Sequence, residues 1–391
     1  MKYLVTLPAL CVSLVLLSCL PSTQTEAKPL MVNTRLAGIG VQTSVDSELA
    51  RDIILWSAAP DPNLLPVELE DAFSCGSDES LPNTTMLERI SRNYSTDSAT
   101  ALLIHCLAAN PLIAQSQALF LTELEQTRNE AHQQVSSITK YTDQYSVLFV
   151  PGWGYLSNSQ ETGADLRRPR EILTELGFDT HLLEIQSNGS VEENARIVVD
   201  ELLHHLQGNK KLILVSASSG GPTIAEALRD ERIARQPQLV GWLNICGVMN
   251  GSPVIDRFLG WPGSLLLRIV SLFEGWEYDD LLSLSRARSR PRYAGFQPPA
   301  QMTVLNYIGI PFSGQVSSMG KQFYHLLKKQ GPNDGLTLVT EALVPGYTIM
   351  ALGVDHFVAN DPEIDLKTRA LLRVMFTLID DSQSGLLTVS R

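Results

Sequence analysis

Three observations predict an α/β fold, a mostly parallel sheet flanked by helices. From Ser146 onward, short apolar runs alternate with amphipathic helical patterns, as strands and their crossover helices do. The run 212–215 is uninterrupted, as a strand buried on both faces must be, and it opens directly into Ser216-Ala217-Ser218-Ser219-Gly220-Gly221 and a helix. The chain has 391 residues and 44% hydrophobic content, enough to bury a substantial core.

The first element lies outside that fold. Lys2 precedes an apolar run over 4–17 that is broken by Pro8 and is shorter than the ~20 residues of a membrane span. It reads as an export signal over 1–18. The sequence Leu16-Leu17-Ser18-Cys19 puts a small residue before a cysteine and resembles the lipobox of bacterial lipoproteins. That resemblance implies a lipidated Cys19 as the first mature residue, an ordinary cleaved signal being the alternative. With Leu20 rather than aspartate next, it implies a membrane-anchored lipoprotein of the bacterial cell envelope, at the periplasmic face of the outer membrane in a Gram-negative source. Residues 19–35 then form the lipidated cysteine and a tether, because 21–29 are polar and rich in Ser and Thr.

Over 36–144 the patterns are helical. Helices are predicted at 46–58, 84–94, 98–109 and 111–135, with loops marked by Pro60, Pro62, Pro66 and Pro82. Cys75 and Cys106 fall in this region, and in an exported chain they can form a disulfide or remain thiols, since sequence gives no distance. The five cysteines show no metal-binding spacing, so no metal site is predicted. With 42 acidic against 30 basic residues the formal charge is -12, which argues against a nucleic-acid partner.

The α/β domain is assigned to 145–391. Its first strand, 146–150, enters the turn Pro151-Gly152-Trp153-Gly154. Thr162 and Asp165 offer a capping box for a helix ending at Leu176, and 179–185 reads as a strand. Ser190 and Glu193 repeat the capping device for a helix that presents Val191, Ala195, Val198, Val199 and Leu202 on one face, and His204 and His205 fall in its last turn. Further strands are expected at 239–245, 302–308 and 348–352. Between the second and third of the strands 212–215, 239–245 and 302–308, residues 250–300 form an insertion with the apolar stretch 265–273, expected to be a helical cap.

A strand, a tight turn holding serine and a helix lift a hydroxyl above the sheet edge, beside helix amides. Small residues two before and two after the nucleophile let the backbone bend. Ser218 has Ser216 and Gly220 there; Ser219, with Ala217 and Gly221, also fits sterically. On these residues, 146–380 resembles the α/β-hydrolase superfamily, bacterial lipases and esterases in particular, although Ser216 replaces the first glycine of the usual GxSxG. The resemblance implies backbone oxyanion donors at Trp153 and Ser219, since Pro151-Gly152 corresponds to the family's oxyanion loop. It also implies a later acid and histidine. Pro332-Asn333-Asp334-Gly335-Leu336 looks like the family's acid turn and Asp355-His356 like its histidine segment, which gives the set Ser218, Asp334 and His356, with Asp355 and Asp361 as alternative acids.

The function implied is hydrolysis of a carboxylic ester, of a lipid or other small apolar acyl substrate, with no metal or organic cofactor. A noncatalytic α/β-hydrolase-like binding or scaffold lipoprotein, and a thioesterase or peptidase using the same triad, are the alternatives. The arginines at 286, 288, 290 and 292 either touch lipid phosphates or form a solvated loop. Oligomeric state is not readable.

Overall fold

The computed structural model describes residues 30–59, 75, 82–131, 137–260, 263 and 277–384. The signal, Cys19 and the cap stretch 265–273 lie outside them.

The first described elements correct the sequence reading. Strands β1 (Leu30–Leu36) and β2 (Ile39–Val45) form an antiparallel hairpin where a tether and helices were expected. The pattern has period two: Val32, Leu36, Val41, Thr43 and Val45 are buried among exposed or half-buried neighbours. Ala37 and Gly38 both have positive φ, 47° and 81°, as the two-residue turn pairing Leu36 with Ile39 requires. Helices follow at Glu48–Ala58, Thr84–Asn93, Thr96–Ala109 and Pro111–Ala131, close to the expected ranges. Ser47, Asn83 and Ser95 cap the first three through their side-chain oxygens. Cys75 and Cys106 are joined in a disulfide, with Cα atoms 5.3 Å apart.

Strands β3 (Tyr145–Val150), β4 (Asp179–Leu182), β5 (Lys211–Ala217), β6 (Leu239–Ile245), β7 (Thr303–Ile310) and β8 (Tyr347–Leu352) form a sheet in the order β4-β3-β5-β6-β7-β8, each neighbouring pair parallel. Strand residues feed three cores, one of which joins Ile308, Ile310 and Met350 to the N-terminal hairpin and helices. Val147, Phe149, Ile213, Val215 and Tyr307 pack beneath Arg167–Glu175, Pro111–Ala131 and Ile364–Gln383. Leu148, Leu212, Leu214 and Trp242 pack beneath Val191–His205 and Gly220–Ala227. The capping box expected at Thr162 is absent. Gly163, at φ 71°, ends a short helix Ser159–Thr162, and the next helix starts only after Leu166, itself left-handed at φ 51°.

The N-terminal helices belong to the same packing as the sheet. Ser116 Oγ donates to Thr348 O at 2.6 Å, and Gln117 Oε1 accepts from Met350 N–H at 2.8 Å, so the helix Pro111–Ala131 covers the free edge of β8. An open edge would present unpaired backbone groups to other chains. The sequence boundary at 144/145 marks a change of pattern and leaves no gap in the core.

Candidate active site

The end of β5 positions the serine. Ser218 sits at φ 53°, the left-handed conformation of a strained elbow, whereas Ser219 has ordinary helical angles, φ −65° and ψ −16°. The backbone therefore distinguishes two serines that composition could not. A Cβ on Gly220 would lie 2.4 Å from Val150 O, so the elbow can pack onto β3 only with glycine there. A Cβ on Gly152 would lie 3.1 Å from Ser218 Cβ, which brings the Pro151–Gly154 turn directly against the serine. The N–H groups of Gly152 and Gly154 donate to Ala164 O at 2.8 Å and Ser187 O at 2.6 Å, fixing the turn on either side of Trp153.

The other two residues come from loops beyond β7 and β8. His356 Nε2 lies 2.9 Å from Ser218 Oγ, and His356 Nδ1 lies 2.8 Å from Asp334 Oδ2. Asp334 Oδ1 accepts from the N–H groups of Leu336 and Thr337, both at 2.8 Å, and Asp334 O accepts from His356 N–H at 2.8 Å. The carboxylate is thus held by its own turn and aimed at the imidazole; both side chains are buried, at 4% and 5% exposure. The alternative acids are engaged elsewhere. Asp355 accepts from Ser317 N–H and Phe357 N–H, and Asp361 is paired with Lys367 at 2.6 Å.

Ser218 and His356 open onto a cavity of about 360 Å³ with Trp153 in its wall. Apart from Thr162 and Ser252 the remaining wall is apolar, and the insertion contributes much of it through Val254, Ile255, Phe258, Leu281 and Leu284. Insertion arginines serve as clamps: Arg286 pairs with Asp256 at 2.6 Å, Arg290 with Glu341, and Arg292 with Glu192 at 2.7 Å. Arg288 is exposed. Cys246, at the end of β6, is fully buried, and burial pushes its thiol pKa well up, so it is an inert core residue.

No family model matches the chain, and no curated protein matches it. Among solved structures it is similar to a metagenomic carboxyl esterase, 21% identical over 63% of this chain and 77% of that one, with a TM-score of 0.49. It is also similar to the mature Bacillus licheniformis lipase BlEst2, 19% identical over 60% of this chain and 91% of that one, TM-score 0.46. A third is phospholipase PlaB from Legionella pneumophila, 14% identical over 62% and 63%, TM-score 0.40. The fold is that of the α/β-hydrolases. That statement rests on this chain's own parallel sheet and on the left-handed serine between β5 and its helix.

Sequence reasoning missed the polar residues behind the elbow. Ser216, Asn244, Asn306 and Thr348 are paired neighbours on four adjacent strands, and all are buried. Ser216 Oγ accepts from Trp242 Nε1–H at 2.9 Å and donates to Asn244 Oδ1 at 3.3 Å. Asn244 Nδ2 donates to Asn306 Oδ1 at 3.1 Å and to Ala342 O at 3.3 Å, and Asn306 Nδ2 donates to Val344 O at 2.8 Å. The hydroxyl that departs from GxSxG is therefore one rung of a satisfied ladder across the sheet. Phe323, on the helix Ser318–Leu327, also lines the cavity with no motif to announce it.

Proposed function

We propose that the chain is a serine hydrolase that cleaves a carboxylic ester with an apolar acyl group. The observation that carries this reading is the hydrogen-bonded run Ser218–His356–Asp334 at the wall of an apolar cavity. His356 Nε2 takes the proton of Ser218 Oγ as that oxygen attacks the acyl carbonyl carbon. The carbonyl oxygen becomes an alkoxide facing the backbone N–H groups of Trp153 and Ser219, which bind it more strongly than the neutral carbonyl. Asp334 accepts from His356 Nδ1–H, holding the tautomer that leaves Nε2 basic and stabilising the imidazolium. The proton on Nε2 passes to the ester oxygen as the C–O bond breaks and the alcohol leaves. Water then repeats the sequence on the acyl-serine, with His356 again as base, and releases the carboxylic acid.

The esterase and lipase names carried by similar structures agree with this reading. A fluorophosphonate probe tests it. The wild-type chain should be labelled and Ser218→Ala should not, because serine reacts only when base and oxyanion donors are assembled. A folded wild type that stays unlabelled refutes the proposal.

We further propose that the chain is exported and anchored to a membrane of the bacterial envelope through a lipidated Cys19. Ser18-Cys19 behind the apolar run supports this. Mass spectrometry of the mature N-terminal peptide should find a diacylated Cys19. An unmodified Cys19, or cleavage elsewhere, refutes anchoring without touching the hydrolase reading.

A further inference from the structure

A second apolar cavity, of about 40 Å³, lies under the helices Arg167–Glu175 and Ile364–Gln383, against the face of the sheet that carries Phe149, Val215 and Leu243. That exceeds the ~10–15 Å³ that one water needs, and the wall is almost entirely apolar.

Ile245 and Val358 belong to the walls of both this cavity and the one at Ser218. Both sit beside the reacting groups. Ile245 O accepts the Ser218 N–H at 3.1 Å, and Val358 is two residues beyond His356, in the turn Val358–Asn360. An acyl chain leaving the carbonyl carbon at Ser218 along the apolar wall therefore meets a partition of two aliphatic side chains, with apolar space behind it. Lys367 lines the second cavity, but its ammonium is held by Asp361 at 2.6 Å and by Glu363 at 3.8 Å, leaving its apolar stem as the lining.

We propose that this second cavity is a terminal acyl chamber: it receives the last carbons of a long, unbranched acyl chain whose carbonyl is held at Ser218. The proposal rests on the ester-hydrolase reading and narrows it to straight-chain fatty acyl substrates. An apolar end fits the chamber, whereas a terminal carboxylate would be desolvated there without a free partner.

The test reacts the full chain with p-nitrophenyl alkylphosphonates from ethyl to dodecyl and follows the second-order rate of serine modification. In wild type each added methylene should raise the rate about fourfold until both chambers are filled. Leu243→Phe places a ring in the second chamber alone, so the rise should stop earlier and the dodecyl-to-ethyl ratio should fall at least tenfold. Leu371→Ala enlarges the same space and should extend the rise to longer chains, which keeps the test available where Leu243→Phe fails to fold. Length curves that coincide in wild type and the folded variants overturn the chamber while leaving the hydrolase reading standing. A wild type unmodified at every length overturns both.

Discussion

Ser216→Gly restores the glycine that the GxSxG pattern has at this position, yet it should destabilise the protein. Ser216 is 0% exposed and its hydroxyl accepts the indole N–H of Trp242, which is also 0% exposed. Glycine leaves that donor buried and unpaired, a cost of about 1–3 kcal/mol. Glycine within a strand adds roughly 0.5–1 kcal/mol of backbone entropy, so the expected loss is roughly 1.5–4 kcal/mol. Urea unfolding reads it as a lower midpoint with an unchanged slope. Ser216→Ala separates the two contributions, since it removes the hydroxyl without the added backbone freedom. In a Trp242→Phe background there is no indole N–H to strand, so the cost of Ser216→Ala should shrink by about 1–3 kcal/mol. A Ser216→Gly variant within about 0.5 kcal/mol of wild type would show that the ladder contributes nothing and refute this account of the departure.

Three other outcomes are expected. Asp334→Asn should lower kcat on a nitrophenyl ester roughly 10³–10⁴-fold while the fold is kept, because the amide no longer enforces the useful imidazole tautomer; near wild-type kcat would point to another acid. Burial first, and the neighbouring Asp46 carboxylate second, push the Asp97 carboxyl from 3.8 up to about 7, against the bonds it accepts from Ser313 and the Asp46 N–H. A folded-state pKa above the unfolded value means that the folded chain holds the extra proton between the two, so stability falls as pH rises from about 4 to about 7. Asp97→Asn should flatten that limb in denaturation midpoints measured across the interval, and an unchanged slope would assign it elsewhere. Removing the Cys75–Cys106 bridge, which spans a sequence separation of 31, should cost about 3–4 kcal/mol on the chain-entropy account. Cys106→Ser compared with wild type under non-reducing conditions measures it, and equal midpoints would contradict that account.

What was legible in the sequence follows from how local its cause is. A buried parallel strand reads as a near-continuous apolar run, and 212–215 in β5 and 239–243 in β6 were readable for that reason. The elbow needs small residues at fixed offsets, so Ser218 and Ser219 were both admissible; the left-handed φ of Ser218 and the 2.9 Å approach of its hydroxyl to His356 separate them. The hairpin was readable in principle, since Val32, Leu36, Val41 and Val45 recur at strand period around Ala37-Gly38. Its seven-residue strands are short, and the helical patterns that follow outweighed them.

Residues whose meaning lies in a distant partner were legible only in part. The Asn333-Asp334-Gly335-Leu336 turn pointed to Asp334 through its family resemblance and left Asp355 and Asp361 open; what separates the three is that Ser317 N–H and Lys367 occupy the latter two while His356 faces Asp334. Ser216 looked like a weakened motif position because its partners are 26 and 28 residues onward on the next strand. The same lateral ladder ends at Ala342 and Val344, which return the chain from the Asp334 turn to β8. A serine in place of glycine thus ties the strand bearing Ser218 to the segment bearing Asp334, through atoms that need neither solvent nor substrate. Departure from a motif is evidence against a site only when the departing side chain is left without work. Here its hydroxyl is fully engaged, and the geometry two residues later is that of an intact elbow.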